Sequence, residues 1–434
     1  MASGAFVGPP GLEPATGTAR QARVWGLTAA ITIAAVPAVT ALLTWRAWSL
    51  TLFYLTPITF AELLVVLLAI AAGFDLKATL QELSKPVAAA ALIWAGVVIA
   101  AALSATGDPP QAVIRGGQSL AHGLFFLVLS RMFSYQWFEL RRQFLIAIAI
   151  GAVLFLPVIV SAVYAARLTV PFTWNAVATG VTNIRQIGFY GVALAGCAIG
   201  LLATEGSKPL RWLYGLALVA GMYLCFWSGG RGASLPVLIV LVLVGCFTSG
   251  AARKRVALWS LTAIAVAAPM SEGLKPWNEF GIVRILNRAT ATEVEGTDYS
   301  SGRIEIWIST LERVPEHPFI GHGEGQFRSE IPALQRMFNH PHNVVIQFLY
   351  QWGVIGTFAV VVMILPAICR SRMRATDDPG VGLPAIAAML GFLGMGLVEG
   401  PFFHPYPVMP VLICLAALAS PTVPRLAIRH SAEA

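Results

Sequence analysis

The residues best equipped for chemistry are arginines and histidines placed where apolar runs end. Asn183-Ile184-Arg185-Gln186 precedes one such run, and Ser228-Gly229-Gly230-Arg231-Gly232-Ala233 separates two others. An arginine is always charged and offers a planar fork of donors, which suits a phosphate. Arg231 lies among glycines at the expected start of a helix, where backbone N–H groups and the helix dipole favour an anion. No Walker pattern surrounds it, so a nucleotide is not implied. Both arginines also fit a plainer role, snorkelling to lipid headgroups from the ends of membrane spans.

Three further motifs follow within about 45 residues of chain. In Ser301-Gly302-Arg303-Ile304-Glu305-Ile306-Trp307, Arg303 and Glu305 are two apart and do not share a helix face. Trp307, four residues past the arginine, suits a helix lying on the membrane surface, with Arg303 solvated in the simplest reading. Gly321-His322-Gly323-Glu324-Gly325 resembles a nucleotide loop only superficially, since neither a strand nor a βαβ unit surrounds it. Its glycines fit a tight turn. His340-Pro341-His342-Asn343 leads straight into an apolar run. A histidine at that mouth can exchange a proton near neutral pH; it also fits a helix cap or a headgroup contact.

The elements that must carry these motifs are membrane helices. Of 434 residues, 57% are hydrophobic and only 12% charged, about half the charged share of a soluble domain. Apolar runs recur at about 24–44, 52–73, 86–105, 115–131, 143–165, 186–204, 208–227, 233–249, 254–271, 343–369, 379–399 and 405–424. Twelve spans of about 20 residues each are expected. Solid apolar runs, not alternating ones, exclude a β-barrel, and the number of runs excludes a single anchor. The first run is followed by others, so it is not read as a cleaved signal peptide. The expected fold is an all-α polytopic membrane protein of about 12 helices. Its parts are a disordered tail (1–22), helices one to nine (23–271), a helical loop domain (272–342), helices ten to twelve (343–425) and a second tail (426–434).

Lys and Arg set the expected orientation. With the N-terminus inside, the inner connectors carry 17 of them, while the short outer connectors carry Arg46, Arg115, Arg167, Arg185 and Arg231 alone. Both termini are therefore expected in the cytoplasm and the 272–342 loop outside. That loop holds seven basic residues and four of the seven histidines. Segments 302–313 and 325–338 look helical. The five cysteines form no CxxC or Cys/His cluster, so neither a disulfide framework nor a zinc site is expected. His340-x-His342 lacks further ligands nearby in sequence, so no metal is assigned. The first outer loop, about 45–51, has no acid, which removes a carboxylate-and-metal mechanism rooted there. The spans read as nearly clean of charge, which speaks against a transporter or flippase.

Order, spacing and topology together resemble the O-antigen ligase family, in the wider group that includes O-antigen polymerases and O-linking oligosaccharyltransferases. The most specific stretch runs from Ser301 to Gly356: Arg303, the turn at 321–325, then His342-Asn343, Gln347, Gly353 and Gly356. The Ser228–Ala233 turn is similar to the family's serine-arginine-glycine turn, with Gly230 where a second serine is common. The resemblance implies a cofactor-free, metal-independent, inverting glycosyltransferase with a GT-C-like fold in the bacterial inner membrane, its site facing the periplasm. The implied donor is a glycan on undecaprenyl diphosphate and the implied acceptor a sugar hydroxyl of lipid A–core, both reaching the site through the surrounding membrane lipids, with no nucleic acid involved. Arg185, Arg231 and Arg303 would hold the diphosphate and His342 would act as base, with His340, Asn343, Gln186 and Glu305 supporting. An O-antigen polymerase, or a protein O-oligosaccharyltransferase, fits the same signals. The latter fits less well, because such chains often have a longer C-terminal soluble region.

Overall fold

A computed structural model describes residues 16–43, 57–71, 73–134, 138–166, 183–290, 302–331 and 338–420. Among these the chain is helical, in the order α1 (Thr16–Leu43), α2 (Pro57–Ala71), α3 (Leu76–Glu82), α4 (Lys85–Ser104), α5 (Pro109–Ser134), α6 (Phe138–Ala166), α7 (Ile187–Thr204), α8 (Lys208–Trp227), α9 (Arg231–Phe247), α10 (Gly250–Gly273), α11 (Ile282–Thr290), α12 (Arg303–Arg313), α13 (Phe327–Glu330), α14 (Val344–Asp377), α15 (Pro379–Gly396) and α16 (Pro405–Ala419). Nine of these helices are long and apolar enough to cross a membrane, and α2, α9 and α16 are shorter apolar helices. The protein is an all-α, multi-pass membrane protein.

α7 is the central post. Every residue from Ile187 to Ala203 is buried, and α6, α8, α9 and α15 pack around it. Membrane helices gain little from apolar burial against lipid, so close backbone approach is what holds them together. A Cβ on Gly196 would sit 2.5 Å from Cα of Ala388, and one on Gly200 2.3 Å from Cα of Pro384. The two glycines thus let α15 lie directly against α7.

α14 is a broken helix. At Gly353 the backbone turns to φ 61° and ψ −168°, which leaves carbonyls without intrahelical partners. The segment 317–323 supplies them: His322 N–H donates to Tyr350 C=O at 2.8 Å and Gly323 N–H to Gln351 C=O at 3.0 Å. In return Val354 N–H donates to Pro318 C=O at 2.8 Å. Irregular backbone at a membrane helix is tolerated only when satisfied in this way. The glycine-rich turn is therefore a dock for α14, and its glycines at 321, 323 and 325 all have positive φ.

Several boundaries move. Helix α1 begins at Thr16, inside the expected 1–22 tail. Helix α5 starts at Pro109, so Arg115 is a helix residue and not part of a connector. Of the expected helix over 325–338, the described part forms the short α13, which ends at Glu330; Ile331 precedes Pro332, which disfavours helical backbone there. Ser301, residues 332–337, Arg46, Arg167 and both ends of the chain lie outside the described residues.

The spans are also less clean than composition suggests. Glu62 on α2 is fully buried and its Oε2 lies 2.5 Å from His122 Nδ1 on α5. One turn along, Gln118 Nε2 donates to Thr59 Oγ1 at 2.8 Å. These polar contacts tie α2 to α5, as expected of ionisable side chains inside membrane helices, which face the bundle interior and one another.

Candidate active site

The ends of five elements converge on one carboxylate, Glu399, in the turn between α15 and α16. Its Oε1 lies 2.5 Å from an Arg303 guanidinium nitrogen, and its Oε2 lies 3.5 Å from His342 Nδ1. The second separation is long for a hydrogen bond but close enough for direct electrostatic attraction. A Cβ on Gly232, next to Arg231 in the first turn of α9, would lie 2.3 Å from Cγ of Glu399. One on Gly230 would lie 3.8 Å from Cγ of Arg185. The two short turns carrying Arg185 and Arg231 thus meet the long loop at Glu399.

Each side chain is held by local structure. Arg303 opens α12 behind Gly302, which sits at φ 79°. Trp307, one turn later, donates its indole N–H to Pro341 C=O at 2.8 Å. α12 is therefore pinned to the His340–His342 segment, and Trp307 is not a free interfacial anchor. Arg303 is not solvated either, since its side chain is only 14% exposed. The exposed apolar face of α12 is instead Ile304, Ile308 and Leu311.

His342 has φ 56°, alone among described non-glycine residues in being left-handed. Such backbone costs of order 1–3 kcal/mol and persists where surroundings fix it. Here they do: His342 N–H donates to His340 Nδ1 at 3.3 Å, and Asn343 caps α14 by accepting from Val345 and Ile346 N–H. Asn343 Nδ2 also donates to Leu397 C=O at 3.1 Å, which fixes the capped end to the Glu399 turn. Asn343 acts here through helix capping and positioning. Gln186 reaches the same region, its Nε2 lying 3.2 Å from Nε2 of His404. Glu305 does not; it is exposed on α12.

Burial and charge divide the titratable groups. Burial alone would raise Glu399, but the neighbouring His342 and the Arg303 charge outweigh it and hold the carboxyl below its usual range. Burial, reinforced by the other histidines and by Arg115, pushes His340 well below the usual imidazole range. His404 is lowered to about 3 by burial and then by Arg115. The His340 and His342 rings are 4.1 Å apart and the His340 and His404 rings 5.7 Å. His340 and His404 are therefore neutral rings flanking a charged carboxylate. Among the described residues, no group of three or more His, Cys, Asp or Glu side chains is arranged to hold a metal ion.

Two of these groups were not singled out from sequence. Glu399 is the lone acid between Pro379 and Ser420; a single carboxylate at the end of an apolar run was the available signal. His404 gave less, since it follows two phenylalanines with no polar neighbour.

Comparison with known proteins bears on this arrangement. Residues 215–361 match the family described as O-antigen ligase. That stretch contains Arg231, Arg303 and His342 and ends before Glu399. The chain is also 28% identical over 205 residues to an O-antigen ligase of Pseudomonas aeruginosa, a match covering 46% of this chain and 50% of that protein. The two matches support the O-antigen ligase family. The aligned part spans half the length of that curated relative.

Proposed function

We propose that this protein is an O-antigen ligase-type glycosyltransferase of lipopolysaccharide biosynthesis. Its donor is a glycan on undecaprenyl diphosphate and its acceptor a sugar hydroxyl of lipid A–core. The observation that carries the reading is Glu399 bridging Arg303 and His342 beside the Arg185 and Arg231 turns. A cation cluster and a carboxylate-oriented imidazole then face one reaction centre.

The chemistry follows from that pairing. Glu399 orients His342 through Nδ1, leaving Nε2 to take the proton of the attacking hydroxyl. The hydroxyl oxygen bonds to the anomeric carbon as the bond from that carbon to the diphosphate oxygen breaks. The diphosphate leaves with its electron pair, and Arg185, Arg231 and Arg303 stabilise the growing charge. A one-step displacement inverts the anomeric carbon. Both substrates are lipid-anchored and arrive laterally, so no soluble energy source is required. The surplus of Lys and Arg in the opposite connectors supports a periplasmic site and cytoplasmic termini.

An O-antigen polymerase would use the same cluster with a second lipid-linked glycan as acceptor. Purified protein given a lipid-linked glycan, lipid A–core and excess EDTA separates the readings. Joining of glycan to lipid A–core is expected. Chain extension alone would indicate the polymerase, movement of the lipid-linked glycan alone a transporter, and rescue by a divalent ion a metal-dependent mechanism.

A further inference from the structure

The segment 317–323 that docks on the break in α14 is held well along a membrane helix, not at its end. α14 has no charged residue from Val344 to Cys369, and Arg370 is the first. Gly353 stands 17 residues before Arg370, about 25 Å along a helix at 1.5 Å per residue. A hydrocarbon core is about 30 Å thick, so a core bounded by Arg370 on one side still reaches past Gly353 on the other. Backbone contacts hold the segment at that height. Val354 N–H donates to Pro318 C=O at 2.8 Å and Ile355 N–H to Phe319 C=O at 3.2 Å. A Cβ on Gly353 would lie 2.4 Å from the Phe319 carbonyl carbon, so the two backbones touch. At the other end of the segment, a Cβ on Gly323 would lie 2.9 Å from the Ala101 carbonyl oxygen on α4.

Irregular backbone at membrane depth must turn its polar groups toward protein. Here Pro318 and Phe319 give their carbonyls to α14, and His322 and Gly323 give it their N–H groups. Pro318 has no N–H to satisfy. The Phe319 side chain does the opposite: it is 67% exposed, although its backbone sits against Gly353. Val354 and Phe358, one turn apart on α14 and level with or below Phe319, are exposed as well. They face outward from a helix long and apolar enough to cross a membrane, so what covers them is lipid. Phe319 continues that face. On α12, which leads into the segment, Ile308 and Leu311 are exposed too.

We propose that 317–323 is a re-entrant segment and that Phe319 inserts among the lipid acyl chains of the leaflet on the active-site side. The segment gives its backbone to the α14 break and its one large apolar side chain to the bilayer. α12 joins it through Val314–Glu316, so the height of Arg303 over the membrane is set by this anchor as well as by Glu399.

The test is a depth measurement that needs no substrate. The full chain carries serine at its two exposed cysteines, Cys246 and Cys369, while the buried thiols stay unlabelled. A nitroxide is attached at Phe319→Cys, at Phe358→Cys as a lipid-facing control, or at Glu316→Cys, an exposed position. Each sample is placed in phosphatidylcholine nanodiscs, and collisions of the label with oxygen and with a water-soluble nickel chelate are compared. The Phe319 label should favour oxygen severalfold, as the Phe358 label does, and the Glu316 label should favour the chelate. A Phe319 label that favours the chelate would place the segment in water and overturn the proposal. A label shielded from both reagents would do the same, by showing a protein partner or a second copy over this face. A second arm avoids the label. Phe319→Asp should speed proteolytic cleavage of the 317–325 turn in nanodiscs severalfold, because a carboxylate leaves the acyl region, whereas Phe319→Leu should leave the rate unchanged. Equal cleavage of the Asp and Leu variants would also overturn it.

Discussion

Glu399 meets Arg303 at 2.5 Å across 96 residues of chain, and the same carboxylate faces His342. One acid thus sets both a cation and an imidazole. Glu399→Gln keeps the volume and removes the charge. A positioned base is worth about 100–10,000-fold, and much of that should vanish when His342 loses its orienting carboxylate. Glu399→Ala should also destabilise the protein, because removing one partner of a buried ion pair costs about 3–5 kcal/mol. Turnover and thermal unfolding of both variants separate these effects. Full turnover in Glu399→Gln would leave Glu399 as an Arg303 anchor only.

His342 itself is best tested with asparagine. The residue sits at φ 56°, where alanine adds strain but asparagine is tolerated. His342→Asn should therefore fold and still lose transfer by about 100-fold or more. His340→Asn should cost less if His340 only holds the His342 N–H. Near-normal turnover in His342→Asn would sink the base assignment.

The break in α14 predicts a sharp contrast between two glycines. A Cβ on Gly353 would lie 2.4 Å from the Phe319 carbonyl carbon, at φ 61°. Gly353→Ala should undock the 317–325 turn, with backbone strain of order 1–3 kcal/mol plus the clash. Gly96 is in α4 with nothing within 4 Å of its Cβ direction, so Gly96→Ala should raise stability by about 0.5–1 kcal/mol. Limited proteolysis of the turn reads the first effect and thermal unfolding the second.

The helices and their order were legible in the apolar runs, because a membrane helix must present a long unbroken apolar stretch. Arg185, Arg231, Arg303 and His342 were legible by type and place, and the structure brings them to one region. What joins them was not legible. Glu399 lies far from Arg303 in sequence, and nothing local marks the pairing. Arg115 read as a connector because helix α5 begins earlier than its apolar run, with two prolines at its start. The Gly353 break was hidden for a related reason: the carbonyls and N–H groups that satisfy it belong to another segment, 317–323, in contact with it but not beside it in sequence.

The loop should respond to pH through a second pair. His322 Nδ1 lies 2.5 Å from Glu330 Oε2, and Tyr350 donates to the same carboxylate at 2.9 Å. Burial alone would lower His322, but the hydrogen bonds to Glu330 and the Arg313 carbonyl raise it. A raised histidine contributes stability that is full below its unfolded value and is lost as pH rises through the folded one. Thermal stability should therefore fall on going from about pH 6 to the region above the usual imidazole value. His322→Gln should flatten that dependence and cost about 1–3 kcal/mol at the acid end. An unchanged slope in His322→Gln would assign the dependence elsewhere.

Arg185 and Arg231 stand in turns that converge on Glu399. If they hold a diphosphate, the planar fork matters as well as the charge, so Arg→Lys should still impair turnover. Arg→Ala should be worse, and it should lower kcat as well as weaken donor binding. Charge on the leaving oxygen is largest in the transition state, so part of the clamp's contribution appears only there. An arginine that merely snorkels to headgroups makes the opposite demand: any cation on a long stem serves. Measuring kcat and KM for Lys and Ala at both positions, with membrane levels checked by blotting, decides between the two. Wild-type turnover in both Lys variants, with mild loss in both Ala variants, would move the diphosphate site away from these turns.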